Sequence, residues 1–155
     1  MPVTTRRAVP SDIDWLMGQL RQFARFYGTK RSLFPTDDYA EQVLESMVSS
    51  QAIFMAVETT SYGEQPIGFI AAMVGVHPYN PTIRLLAETF WWVEPTLRGG
   101  RAALLLLEAF KAWGVESGFD WLTLSMVEGK SPLTDRTLER HGFRLHEKSY
   151  LREVG

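Results

Sequence analysis

The chain has 155 residues, a formal net charge of −2 and no cysteine. The length suits one domain, 1–155, with a substantial core, and the charge gives no general electrostatic reason to bind nucleic acid or an anionic membrane. The lack of cysteine excludes disulfides, cysteine zinc sites and a cysteine nucleophile. The opening stretch MPVTTRRAVPSDIDW has no apolar signal-peptide segment, and no apolar run reaches the ~20 residues that span a bilayer. A cytoplasmic protein with no nucleic-acid and no membrane partner is the expectation.

Thr4 to Val9 predicts a short first strand, closed by Pro10. Ser11 reads as a helix cap with Asp14 as its capping-box partner, and Ile13, Leu16, Met17, Leu20, Phe23, Ala24 and Tyr27 follow helical spacing. A helix over Asp12 to Tyr27 follows, with Gly28 as its C-terminal cap. Thr36 caps a second helix with Ala40, Val43, Leu44 and Met47 on its inner stripe. Ala52 to Glu58, Pro66 to Val76 and Arg84 to Glu94 then read as three successive strands. Gly68 and Gly75 mark weak points or close approaches in the second of these. A long apolar helix spans Gly99 to Ser117, a strand Phe119 to Met126, and a short helix runs from Ser131-Pro132 to His141. Phe143 to Glu147 and Ser149 to Glu153 read as a closing hairpin. The three sequential strands predict an antiparallel meander, and the strand–helix–strand unit from Glu88 to Met126 a parallel crossover. The fold class is α/β: a mixed, mostly antiparallel sheet with helices on both faces.

The most informative stretch is Glu88 to Trp113, ETFWWVEPTLRGGRAALLLLEAFKAW. An apolar, aromatic strand breaks at Pro95, passes through Leu97-Arg98-Gly99-Gly100-Arg101 and enters a helix. The unpaired N–H groups and dipole at such a helix start favour an anion, typically a phosphate.

With Val93, Pro95 and Arg98-Gly99-Gly100-Arg101-Ala102-Ala103, and with LERHGF at Leu138 to Phe143, the chain resembles the GCN5-related N-acetyltransferases over nearly its whole length. That family carries Arg/Gln-x-x-Gly-x-Gly/Ala after the proline. Here Arg101 stands at the middle glycine, and the glycines fall one and two residues earlier. The resemblance implies acetyl-CoA as cofactor. Its pyrophosphate would lie on Arg98, Gly99, Gly100, Arg101, Ala102 and Ala103, and its pantetheine arm along Trp91, Trp92 and Val93, where the following parallel strand splays away. It also implies a primary-amine acceptor, from a small molecule, peptide or protein, and makes a homodimer an open expectation.

Acetyl transfer requires a neutral amine, a stabilised oxyanion and a proton for the thiolate. The resemblance assigns the oxyanion to the Val93 N–H. The family's usual tyrosine acid falls on Leu138, so Tyr150 in the last strand is the candidate instead. The family's strand carboxylate falls on Ala87. Glu88, one residue on, is the candidate base and would need a bulge to match. By plain alternation Glu88 shares a face with Phe90, Trp92 and Glu94. Tyr27, Arg31 and Phe34, at or beyond the first helix end, and His146 are the acceptor candidates. No histidine has metal-ligand spacing, so no metal is expected. Arg101 and Leu138 at family positions also leave a second reading: a non-catalytic relative that binds CoA or a protein partner.

Overall fold

A computed structural model describes residues 2–98 and 100–155. The elements are β1 (Val3–Arg7), one 3-10 turn at Pro10–Asp12, α1 (Ile13–Tyr27), α2 (Asp37–Ser49), β2 (Ile53–Thr60), β3 (Gly63–His77), β4 (Asn80–Val93), a 3-10 turn at Pro95–Leu97, α3 (Arg101–Glu116), β5 (Trp121–Thr123) and α4 (Asp135–Arg140). The sheet order is β1-β2-β3-β4-β5. The first four strands are antiparallel neighbours, and β5 lies parallel to β4. None of the described helices is long and apolar enough to cross a membrane.

Alternation along the strands divides the core between the two sheet faces. Met55, Phe69, Ala71 and Trp92 pack against Leu16 and Leu20 of α1 and Leu44 and Val48 of α2. Ala56, Ile70, Ala72, Leu86, Trp91 and Val93 pack against Leu106, Leu107 and Phe110 of α3 and Leu138 of α4. Each face therefore removes a continuous apolar layer from water, the dominant stabilising term for such a sheet. At the end of β4 the packing is tight. A Cβ on Gly68 would lie 2.9 Å from the Trp92 carbonyl oxygen and 3.1 Å from Val93 Cγ2, so β3 approaches β4 there only because residue 68 has no side chain.

Several boundaries differ from the sequence reading. Ser11 does not cap α1. It sits inside the 3-10 turn, where the carboxylate of Asp12 accepts the Val9 N–H at 2.8 Å and pairs with Arg6 at 2.7 and 3.0 Å. Thr36 does cap α2 through the Tyr39 N–H, and Gly28 closes α1 in the left-handed region at φ 78°. The last helix starts later than Ser131, because Thr134 rather than Ser131 caps it. The strand expected over Phe119 to Met126 is ladder-bonded only at Trp121–Thr123. The closing hairpin at Phe143–Glu147 and Ser149–Glu153 is absent; that segment is irregular, with Leu145, Tyr150, Leu151 and Val154 exposed. Strand character there depended on a neighbouring edge long enough to pair with, and the β5 edge ends after three residues.

Candidate active site

The site is built where β4 loses one of its two neighbours. On the β5 side the register runs Leu85↔Trp121, Leu86↔Leu122 and Ala87↔Thr123, and pairing ends there. On the β3 side pairing continues to Gly68↔Val93. From Glu88 onward one side of β4 therefore faces a gap. The Glu94 N–H donates to the Ile67 carbonyl at 3.0 Å, on the β3 side. Strand alternation then turns the N–H and C=O of Val93 toward the gap. Arg98 Nε donates to the Val93 carbonyl at 3.0 Å, leaving the Val93 N–H as the open donor at that point.

A bulge sits in the same strand. Ala71 pairs with Phe90 but Ala72 pairs with Glu88, so Thr89 is the extra residue, its hydroxyl donating to the Ala71 carbonyl at 3.2 Å. The bulge reverses the alternation. Glu88 therefore lies on the face of Ala72 and Trp91, and not on the face of Phe90 and Trp92 expected from plain alternation.

Glu88 is 7% exposed. Its Oε2 accepts the Ser125 N–H at 3.0 Å, bridging the two strands just where they part. Burial pushes its carboxyl pKa up to about 7, against the opposing pull of the Ser125 N–H. It has no ion-pair partner among the described residues. A carboxyl group of this kind holds a proton about half the time near neutrality, which suits exchange of a proton with a bound amine.

Glu88 opens onto a cavity of about 400 Å³ walled by Phe23, Phe26 and Tyr27 of α1, Trp91 and Trp92 of β4, and the loop from Ser125 to Lys130. Ser149 and Leu151 of the C-terminal segment complete it. The Trp92 indole N–H donates to Gln19 Oε1 at 2.8 Å, whereas the buried Trp91 indole N–H has no partner among the described residues. Lys130 reaches across to the Phe26 carbonyl and stands 5.6 Å from the Phe26 ring centre, tying the loop after β5 to the end of α1.

The positions singled out from sequence fall into three groups. Glu88, Trp91, Trp92 and Tyr27 line this cavity, and Val93 lies at its β4 end. Arg98 turns back from its loop onto the Trp92 and Phe26 rings, 4.4 and 5.2 Å from their centres, and burial lowers its pKa. Gly100 precedes α3 with no side-chain cap on the helix; Arg101 is exposed at its first turn, and Ala102 and Ala103 are buried beneath it. Gly99 lies outside the described residues. Tyr150 is 88% exposed and outside the cavity wall, although Ser149 and Leu151 on either side of it contribute. His146 meets Trp121 edge to face, ring centres 5.8 Å apart, and does not line the cavity. Arg31 and Phe34 line a different cavity, on the far side of α1. Sequence reasoning missed Ser125, Glu128 and Lys130. Their only signal was the polar loop following a predicted strand, since the strand itself was expected to continue to Met126.

No known family's sequence profile and no curated protein sequence matches the chain. Solved structures do. A GCN5-related N-acetyltransferase from Ralstonia eutropha JMP134 is similar at TM-score 0.72 and 16% identity, with 99% of each chain covered. A predicted acetyltransferase from Clostridium acetobutylicum, solved with acetyl-CoA, gives 0.71 and 18%, with 98% of this chain and 96% of that one covered. A transcriptional regulator from Bacillus halodurans C-125 gives 0.77 and 15%, with 99% and 100% covered. The chain has the GCN5-related N-acetyltransferase fold.

Proposed function

We propose that this chain is an acetyl-CoA-dependent N-acetyltransferase that acts on a primary amine with Glu88 as its general base. The observation that carries the reading is the parting of β4 and β5 at Ala87, with a buried, unpaired carboxyl group in the gap. The fold shared with a structure solved with acetyl-CoA supports the cofactor. The donor set fits it: the Val93 N–H on the gap side, the uncapped start of α3 at Gly100, and Arg101 beside it.

When bound, acetyl-CoA supplies a thioester as the acyl donor. Glu88 accepts a proton from the acceptor's ammonium, so that an N–H bond is replaced by an Oε–H bond and the nitrogen lone pair is freed. The Val93 N–H holds the acyl oxygen as it gains negative charge. Phe23, Phe26 and Trp92 give the gap an apolar wall. Tyr27 is the phenol in the wall and can return a proton to the departing thiolate, in place of the exposed Tyr150.

Calorimetry with acetyl-CoA and thiol release with a panel of primary amines test the reading together. Binding and turnover are expected, with Glu88→Gln lowering turnover about 100-fold while acetyl-CoA affinity stays unchanged. Absence of acetyl-CoA binding at millimolar concentration would rule the proposal out. Binding without turnover across the panel would favour a CoA-binding protein that does not catalyse. Leu138 buried in the core at the position of the family's tyrosine, and the regulator that shares the fold, favour that second reading.

A further inference from the structure

The second cavity, about 430 Å³, lies between α1, the 28–36 loop and α2. Its floor is apolar, with Met17, Leu20, Ala24 and Phe34, and its rim carries Arg21, Arg25, Lys30 and Arg31 against the single carboxylate of Asp37. Besides Asp37, the Glu153 carboxylate stands beside this loop and accepts the Lys30 backbone N–H at 2.7 Å, and four cations against these two carboxylates still leave a local excess in a chain whose net charge is −2. Asp37 is already held by Arg21 at 3.1 Å. The side chains of Arg25, Lys30 and Arg31 make no ion pair or hydrogen bond among the described residues. The neutral donors are in use: Thr29 Oγ1 donates to the Arg31 carbonyl at 2.7 Å, and Ser32 Oγ to the Phe34 carbonyl at 2.9 Å.

We infer that this cavity binds a small molecule carrying an oxyanion, a carboxylate or phosphate monoester, on an apolar stem. The available donors are the charged ones, and these bond an anion more strongly than a neutral sugar or alcohol. The stem lies on Leu20, Ala24 and Phe34. This site is separate from the acyl-transfer cavity. Tyr27 faces the first cavity and Thr29 and Lys30 the second, with Gly28 turning the chain between them.

The test is an NMR titration of the full chain, following the backbone amides of residues 29–32, with phenyl phosphate, benzoate, inorganic phosphate and benzyl alcohol at physiological salt. Saturable shifts with phenyl phosphate or benzoate are expected, the tighter of the two identifying the oxyanion. Inorganic phosphate should bind roughly tenfold more weakly, and benzyl alcohol should leave the amides unmoved. The triple variant Arg25→Gln, Lys30→Gln, Arg31→Gln should lose binding by roughly tenfold or more, and Glu88→Gln should retain it. No saturable shift with either aromatic anion, undiminished binding in the triple variant, or equal response to benzyl alcohol would overturn the assignment. These readouts stand whether or not the chain transfers an acetyl group.

Discussion

Two carboxyl groups in this molecule are almost equally hidden from solvent, one near the surface and one deep, and they behave in opposite ways. Asp12 is 6% exposed and Glu88 7%. Burial works to raise the Asp12 pKa as well, but two bonds from Arg6 and one from the Val9 N–H outweigh it and hold the carboxyl below its ordinary value. Glu88 has one backbone N–H and no cation, so burial prevails. Depth and partners act together: Asp12 is hidden from solvent but lies near the surface with a cation beside it, whereas Glu88 lies deep with a single N–H. Asp12 is a fixed charge that closes the corner between β1 and α1. Glu88 is a group free to gain and lose a proton in a cavity, which is the arrangement expected of a functional acid or base.

The largest effect that would sharpen this contrast is on stability at Glu88. A folded pKa above the unfolded value means that the fold carries no penalty below pH 4.5, and loses stability as pH rises from there through about 7. Glu88→Gln does not titrate and keeps an acceptor for the Ser125 N–H. It should therefore be more stable than the parent by about 3 kcal/mol at alkaline pH, with the gain vanishing in acid. Urea denaturation across pH measures this. The opposite slope is expected at Asp12. Its lowered pKa adds stability above its ordinary value of 3.8 that is lost as pH falls through the folded value. Asp12→Asn should cost about 2 kcal/mol at neutral pH, with the deficit closing in strong acid, because Arg6 is 30% exposed and retains Glu64 as a partner at 3.1 Å. Stability curves of the same slope for the two variants would break the comparison. A smaller effect belongs to Arg98, which packs on Trp92 and bonds the Val93 carbonyl. Arg98→Met should cost about 1 kcal/mol by thermal melting.

The order of elements was legible in the chain because α1, α2, α3 and the central strands β2, β3 and β4 bury apolar faces, and because Pro95 and the glycine pair punctuate the passage from β4 to α3. The strand reading placed Glu88 within β4. Its face was not legible. The bulge at Thr89 arises from the fit of β4 to β3, and a single inserted residue reverses every later side chain. Tyr150 and the closing hairpin were misjudged for a related reason. Their alternation is real, but a strand also requires a ladder, and β5 offers little edge. The acceptor candidates were grouped by nearness in sequence, whereas α1 is a wall between two cavities and divides Tyr27 from Arg31 and Phe34.

The most direct test of the claim that Glu88 is the base is the pH dependence of acetyl transfer, followed as kcat/KM for an amine whose own pKa lies well above the range studied. With Glu88 present, the rate should rise with pH and show an inflection near 7, the value at which the buried carboxyl group loses its proton. In Glu88→Gln that inflection should disappear along with most of the rate. An unchanged rate and an unchanged inflection in the variant would contradict the account and move the base elsewhere.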